Sequence, residues 1–376
     1  MFDPHVHLRD WDEAAKETVA HGLQVASRAG LGGVVEMPNT SPPLLDAATV
    51  RRRIQLGDAA REAAHRATGM DIYHGIWMGI GKDVAALEGL VGLWREAHPR
   101  VVGFKLYAGH STGRLGLAQA EQRHAALERL VQLGYDGPIA VHAEEESLLT
   151  PERWDPADPT SHSLARPPVA EVESVRAMIA LVEEVGFKGL LHIVHVSDPD
   201  SVDLIAAARR EHAAAGAPRF SCAATPAHLW LDNEQQQELD PAHAMLWKLN
   251  PPLRSSIQRR RLVAQLERGL IDWIETDHAP HTRSDKLTGY ASGLPGLHVW
   301  PLVPGWLREL GIAPERIEEL TGLAALRILG IPEEVVAHTN AAPLAAASDD
   351  DLTLLSRRLG DAYEWDPFHL PDGEEA

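Results

Sequence analysis

Short runs of alternating or continuous apolar residues recur along the chain, separated by longer runs with helical spacing. The short runs predict strands at Phe2–Leu8, Gly33–Met37, Met70–Ile80, Val101–Tyr107, Ile139–Ala143, Gly189–Val196, Arg219–Ala224 and Leu270–Thr276. The stretches between them are rich in Ala, Leu, Glu and Arg. They predict helices at Asp12–Ala29, Asp46–Arg66, Asp83–Ala97, Gln119–Leu133, Val169–Val185, Pro199–Ala215 and Ile257–Glu267. Asp12, Asp46 and Asp83 each stand where a side-chain oxygen can cap a first helical turn.

Alternating strands and helices predict a parallel sheet, and eight strands is the number that closes a (β/α)8 TIM-type barrel. An open doubly wound sheet is the rival, but it usually carries a glycine-rich loop after its first strand. Here that strand runs into His5-Val6-His7-Leu8-Arg9-Asp10, which cannot serve as such a loop. The barrel is expected to fill residues 1–335. Within it, residues 225–256 form a long loop after the seventh strand, bearing His228, His243, Asn250 and Arg254. Leu149–Pro168 is expected to be a second surface excursion. Residues 336–376 are expected to form an acidic tail, partly helical or disordered, with a solvated end favoured.

Composition narrows the function. Of 376 residues, 44% are hydrophobic and 24% charged, which suits a globular protein. A net charge of −19 argues against nucleic acid or anionic membrane as partners. An anionic substrate would need local positive charge. Cys222 is the single cysteine, so an intrachain disulfide and a thiolate metal site are excluded. No apolar run reaches transmembrane length, and Met1-Phe2-Asp3-Pro4-His5 is unlike a signal peptide. A cytoplasmic location is the expectation.

The chemistry gathers at strand ends. His5 and His7 are two apart on a strand, so both imidazoles share one face, as a metal pair would. Lys105 interrupts an otherwise apolar strand, where an unpaired ammonium is costly and must pair, lose its proton or be modified. His142 closes the fifth strand, and Asp277 ends the eighth before His278-Ala279-Pro280-His281. His192 and His195 on the sixth strand are three apart, so regular alternation points only one inward. His195 is nearer the exit and is the choice, with His192 packed between strand and outer helix. Ser111 and Thr112 lie in the loop after Lys105. An ordinary turn is favoured there over closure on a substrate.

Together these motifs resemble the amidohydrolase superfamily and, within it, the dihydroorotases. The likeness spans about Phe2 to Ile331. It rests on Asp3-Pro4-His5-Val6-His7-Leu8-Arg9, Glu36-Met37-Pro38-Asn39-Thr40-Ser41-Pro42-Pro43, Asn250-Pro251-Pro252-Leu253-Arg254 and Thr276-Asp277-His278-Ala279-Pro280-His281. The resemblance implies two zinc ions per chain. His5, His7 and Asp277 would hold the more buried ion, and His142 and His195 the second. Lys105 would carry a CO2-derived carbamate that bridges them. It implies reversible hydrolysis of L-dihydroorotate to N-carbamoyl-L-aspartate, a step of pyrimidine synthesis. A metal-bridged hydroxide would attack, and Asp277 would act as general acid and base. Arg9, Asn39 and His281 would bind the substrate carboxylate, and Asn250 the ring. Many relatives add a β-sandwich, expected here to be absent or vestigial. A homodimer and a complex with aspartate carbamoyltransferase are further expectations of the family. Two alternatives stay open: a hydantoinase- or allantoinase-type cyclic amide hydrolase, and a non-catalytic scaffold for aspartate carbamoyltransferase.

Overall fold

The apolar runs become eight strands: β1 (Phe2–Val6), β2 (Gly33–Glu36), β3 (Tyr73–Gly79), β4 (Val101–Tyr107), β5 (Pro138–His142), β6 (Leu190–Ile193), β7 (Arg219–Ala224) and β8 (Trp273–Ile274). This computed structural model describes residues 1–110, 115–213, 217, 219–336, 344 and 347–369. Every neighbouring pair is parallel, in the order β1 to β8. The ring closes where His7 N–H donates to the His278 carbonyl at 2.7 Å, beside a bridge between Val6 and His278. The fold is the TIM-type barrel that the alternation predicts.

Alternation along the strands sorts the core into two layers. Val34, Ile76, Phe104, Leu106, Val141, Leu191 and Ile274 pack outward against helices that offer Leu23, Val50, Leu90, Leu127 and Leu262. Val35, Tyr73, Trp77, Ala140, Leu190, Ala223 and Trp273 fill the barrel, floored by Ala325, Leu326 and Leu329. Gly103 is forced by this packing, because a Cβ there would lie 2.4 Å from the Pro138 carbonyl oxygen.

The seven outer helices form at Val19–Arg28, Ala47–Thr68, Leu87–Ala97, Ala120–Gln132, Pro168–Glu184, Pro199–Glu211 and Ser256–Glu267. Asp46 caps its helix, and Asp83 caps a short 3-10 turn before the next. Asp12 does not cap. Arg9, Asp10 and Trp11 all take positive φ, which turns the chain out of β1, and the helix starts only after the Thr18 cap.

Three segments differ from expectation. Residues 225–256 are no open loop, because they hold helices Pro226–Trp230, Asn233–Glu238 and Pro241–Leu246, capped by Thr225, Asp232 and Asp240. Leu149–Pro168 does not simply cross the surface. Its His162 is buried, and Ser163 Oγ–H donates to the Leu253 carbonyl at 2.9 Å. The described part of the tail is docked rather than solvated. Helix Asp349–Gly360 buries Leu352 and Leu359, and Trp365 beyond it is buried as well. Ser111 and Thr112 lie outside the described residues. Among the described residues no helix is long and apolar enough to cross a membrane.

Candidate active site

At the C-terminal ends of the strands the chain leaves regular geometry where the polar groups sit. Arg9, His195 and Asp277 have φ of 53°, 37° and 50°, values rarely adopted by residues other than glycine. Such strain gathers where side chains must be aimed. One pocket results, and its walls include His5, His7, Arg9, Asn39, Lys105, Tyr107, His142, His195, Asn250 and Asp277.

One side of the pocket is a cluster of donors. Asp277 Oδ1 stands 3.1 Å from His5 Nε2 and 3.0 Å from His7 Nε2. His142 Nδ1 stands 3.1 Å from His195 Nε2. The His5 and His195 rings are 5.2 Å apart, so the two pairs adjoin.

The outer nitrogens explain the orientation. His5 Nδ1–H donates to Glu275 Oε1 at 3.0 Å, His7 Nδ1–H to Asn39 Oδ1 at 2.5 Å, and His142 Nε2–H to Glu144 Oε2 at 2.8 Å. With one nitrogen donating outward, the other presents its lone pair to the pocket, as metal-binding histidines do. Glu144 is itself gripped by Arg166, whose Nε–H donates at 3.1 Å. Glu275 also accepts the His195 backbone N–H at 2.9 Å and the Trp273 indole N–H at 3.1 Å.

Three of the four histidines carry the neutral charge that ligation needs. Burial pushes His7 down to about 4 and holds His142 and His195 below the ordinary histidine value, so all three are neutral at pH 7. Burial and Lys105 both lower His5, but Asp277 and Glu275 outweigh them and raise it. Burial would raise Asp277, yet His5, His7 and His195 hold it well below the carboxylate range. Burial brings Lys105 down to about 7, against the pull of Glu275 and Asp277.

These residues fit a metal centre. His5, His7 and Asp277 place their ligand atoms within 4.8 Å of one another. Lys105 Nζ and His195 Nδ1 are sealed from solvent with no hydrogen-bond partner among the described residues. Two imidazole pairs, a carboxylate and an amine make an N/O donor set of the kind zinc takes.

The other side of the pocket carries Arg9. Its Nε–H donates to the Pro280 carbonyl at 3.2 Å, and its Nη2 lies 3.1 Å from His281 Nε2. His281 therefore stands beside Arg9, next to Gly293 of the pocket wall. Asn250 Oδ1 accepts from His162 Nε2 at 2.8 Å. Gly293 shares this wall at φ 139°, and a Cβ there would lie 2.7 Å from the Ala279 carbonyl oxygen. Two further buried histidines near the site face other groups. His278 Nε2 faces Glu17 at 2.8 Å and His228 Nε2 donates to the Pro251 carbonyl at 3.0 Å.

Two features depart from the sequence expectation. His192 does not lie between strand and outer helix. It sits inside the barrel, stacked on Trp273 with centroids 4.3 Å apart, and its Nε2 is 3.5 Å from Glu275 Oε2. β6 ends at Ile193 and His195 has positive φ, so alternation no longer separates the two histidines. Glu275, Glu144 and Tyr107 were not foreseen. Each lies two residues from a residue that was foreseen: Asp277, His142 and Lys105. The Tyr107 hydroxyl is buried without a partner among the described residues, and burial raises its pKa.

Comparison with known proteins agrees with this geometry. No protein-family model matches the chain. A dihydroorotase of Halobacterium salinarum is 30% identical over 379 residues, covering 98% of this chain and 81% of the relative. A dihydroorotase of Methanosarcina mazei is 30% identical over 342 residues, covering 88% and 69%. Among solved structures, the L-hydantoinase of Arthrobacter aurescens superposes with a TM-score of 0.71 at 24% identity, covering 88% of this chain and 70% of that one. The dihydropyrimidinase of Brevibacillus agri gives 0.71 at 23%, with the same coverage. The structural likeness speaks to the shared barrel, and the sequence likeness over nearly the whole chain is closer still: the chain belongs to the dihydroorotase family.

Proposed function

We propose that this pocket carries out the reversible hydrolysis of L-dihydroorotate to N-carbamoyl-L-aspartate, with zinc as its metal. The observation that carries the reading is Arg9, a buried guanidinium on the same pocket as Asp277 and the histidines. A cation opposite a metal-type donor cluster calls for a substrate that pairs a carboxylate with a hydrolysable amide. His5, His7 and Asp277 would hold one ion and His142 and His195 a second, with Lys105, as its carbamate, shared between them. When bound, such ions supply Lewis acidity at the amide carbonyl and ready a water for attack near neutral pH.

The chain's own groups do the rest. Arg9 and Asn39 hold the ring carboxylate, and Asn250 lies where it can meet the ring. His281 supports Arg9. Asp277, ionised at neutral pH, takes the proton of the attacking water. The ring C–N bond breaks, and Asp277 returns that proton to the departing nitrogen. In the reverse direction the same carboxylate removes a proton from the ureido nitrogen as the ring closes. The Tyr107 hydroxyl, without a partner among the described residues, is a further donor toward the bound ring. The single buried thiol and the absence of a membrane-length helix among the described residues fit a cytoplasmic setting.

Steady-state rates on dihydroorotate, hydantoin and allantoin test the assignment. Dihydroorotate is expected to be turned over far faster than either ring that lacks a carboxylate. Turnover of hydantoin or allantoin without turnover of dihydroorotate would contradict it.

A further inference from the structure

Outside the pocket, a second group of metal-type donors joins the barrel to the C-terminal segment. His298 lies on the 3-10 segment Leu297–Leu302, and Asp366 and His369 follow the terminal helix. His298 Nε2 stands 2.9 Å from Asp366 Oδ1, and His369 Nδ1 stands 2.9 Å from Asp366 Oδ2. One ligand atom from each lies within 4.8 Å of the others. Among the described residues, only this group and His5–His7–Asp277 bring three such donors so close.

The two groups are built alike. In each, a carboxylate stands between two imidazole nitrogens at 2.9–3.1 Å. A tetrahedral zinc with bonds of about 2.0–2.1 Å sets its ligand atoms roughly 3.3 Å apart, so little opening is needed in either. The difference is that Asp366 uses both oxygens where Asp277 uses one. His298 is fully buried and its Nδ1 has no partner among the described residues, while the Asp366 and His369 side chains are only 12% and 11% exposed. Tyr363 and Phe368 pack against the His298 ring at 5.8 Å each, which limits access of water.

We propose that His298, Asp366 and His369 form a structural site for a divalent transition metal, zinc fitting best, that clips the C-terminal segment to the barrel. The clip has a consequence for the pocket. Trp365, next to Asp366, donates its indole N–H to the His281 carbonyl at 3.0 Å, and His281 contacts Arg9. The metal thus anchors the segment that braces the Arg9 wall.

The test is zinc per chain, by elemental analysis of full-length protein purified without chelator. Wild type is compared with His369→Gln and Asp366→Asn, two partly exposed positions whose replacement leaves the barrel core intact. Each variant is expected to hold one zinc fewer per chain. Cobalt substitution is expected to show a visible absorption band that both variants lose. Equal zinc content with unchanged cobalt spectra would overturn the proposal and leave a hydrogen-bonded cluster only. The difference between wild type and variant does not depend on how many ions the pocket holds. Failure here therefore leaves the pocket's assignment standing, and the reverse holds too.

Discussion

A lysine sealed inside a barrel faces a choice that water would not impose. Burial brings Lys105 to about 7, so at neutral pH a large share of its amine is uncharged. Only the neutral amine attacks CO2. The sign follows: above pH 7 the amine is free to react, and below it protonation removes about tenfold per unit. In metal-stripped enzyme at fixed dissolved CO2, reactivation by zinc is expected to quicken from pH 6 to 7 and level off above. A rate flat across that range would exclude Lys105 as the carbamate site. Asp277 gives a second prediction. Asp277→Asn keeps the size of the side chain but removes the proton acceptor, and kcat is expected to fall about 10²–10⁴-fold with the fold retained. Circular dichroism and steady-state rates check both parts, and near-normal turnover would exclude its role.

At this scale much of the site was legible, for a simple reason. Side chains two apart share a strand face, which puts His5 beside His7. The same rule puts Tyr107 beside Lys105 on β4, whereas Glu275 and Glu144 lie beyond the ends of β8 and β5. It misled at His192, because it assumes a regular strand and β6 ends early. Motif spacing does not reveal that His281 stands 3.1 Å from the Arg9 guanidinium, a contact that only the fold supplies.

At the scale of elements, β4 and β7 match their predicted bounds; β4 is buried throughout, and β7 is buried from Phe220 on. β8 is only two residues long. Its predicted continuation to Thr276 is taken up by the turn that aims Asp277. The long segment after β7 carried readable signals that were passed over: Thr225, Asp232 and Asp240 stand as caps, two of them followed by proline at the first helical position. The tail is partly helical, as its reading allowed, but its charge favoured a solvated end over a docked one. Asp349, Asp350 and Asp351 form the first turn of a helix, where negative charge is stabilising, and its opposite face is apolar. Docking matters because Trp365 reaches the back of the Arg9 wall, with Lys286 Nζ 5.0 Å over its ring. Trp365→Phe keeps an aromatic side chain, a smaller one, and removes the N–H bonded to His281. A lost hydrogen bond of about 1 kcal/mol corresponds to roughly a fivefold rise in KM for dihydroorotate, with kcat little changed. An unchanged KM would show that the tail does not support the substrate wall.

Across the whole molecule, the barrel solves a problem of assembly. Donors from β1, β4, β5, β6 and β8 are far apart in sequence, and closure of the ring brings their C-terminal ends to one mouth. The acidic surface, with its net charge of −19, does not prevent binding of an anion, because the pocket carries its own guanidinium. The central claim is that this mouth is a metal centre completed by a modified Lys105. Anomalous diffraction at the zinc edge, from crystals grown with zinc and bicarbonate, tests it most directly. The account predicts metal peaks among His5, His7, Asp277, His142 and His195, with density continuing beyond Lys105 Nζ. A bare Lys105 and no metal among those residues, in a preparation that turns over dihydroorotate, would contradict it.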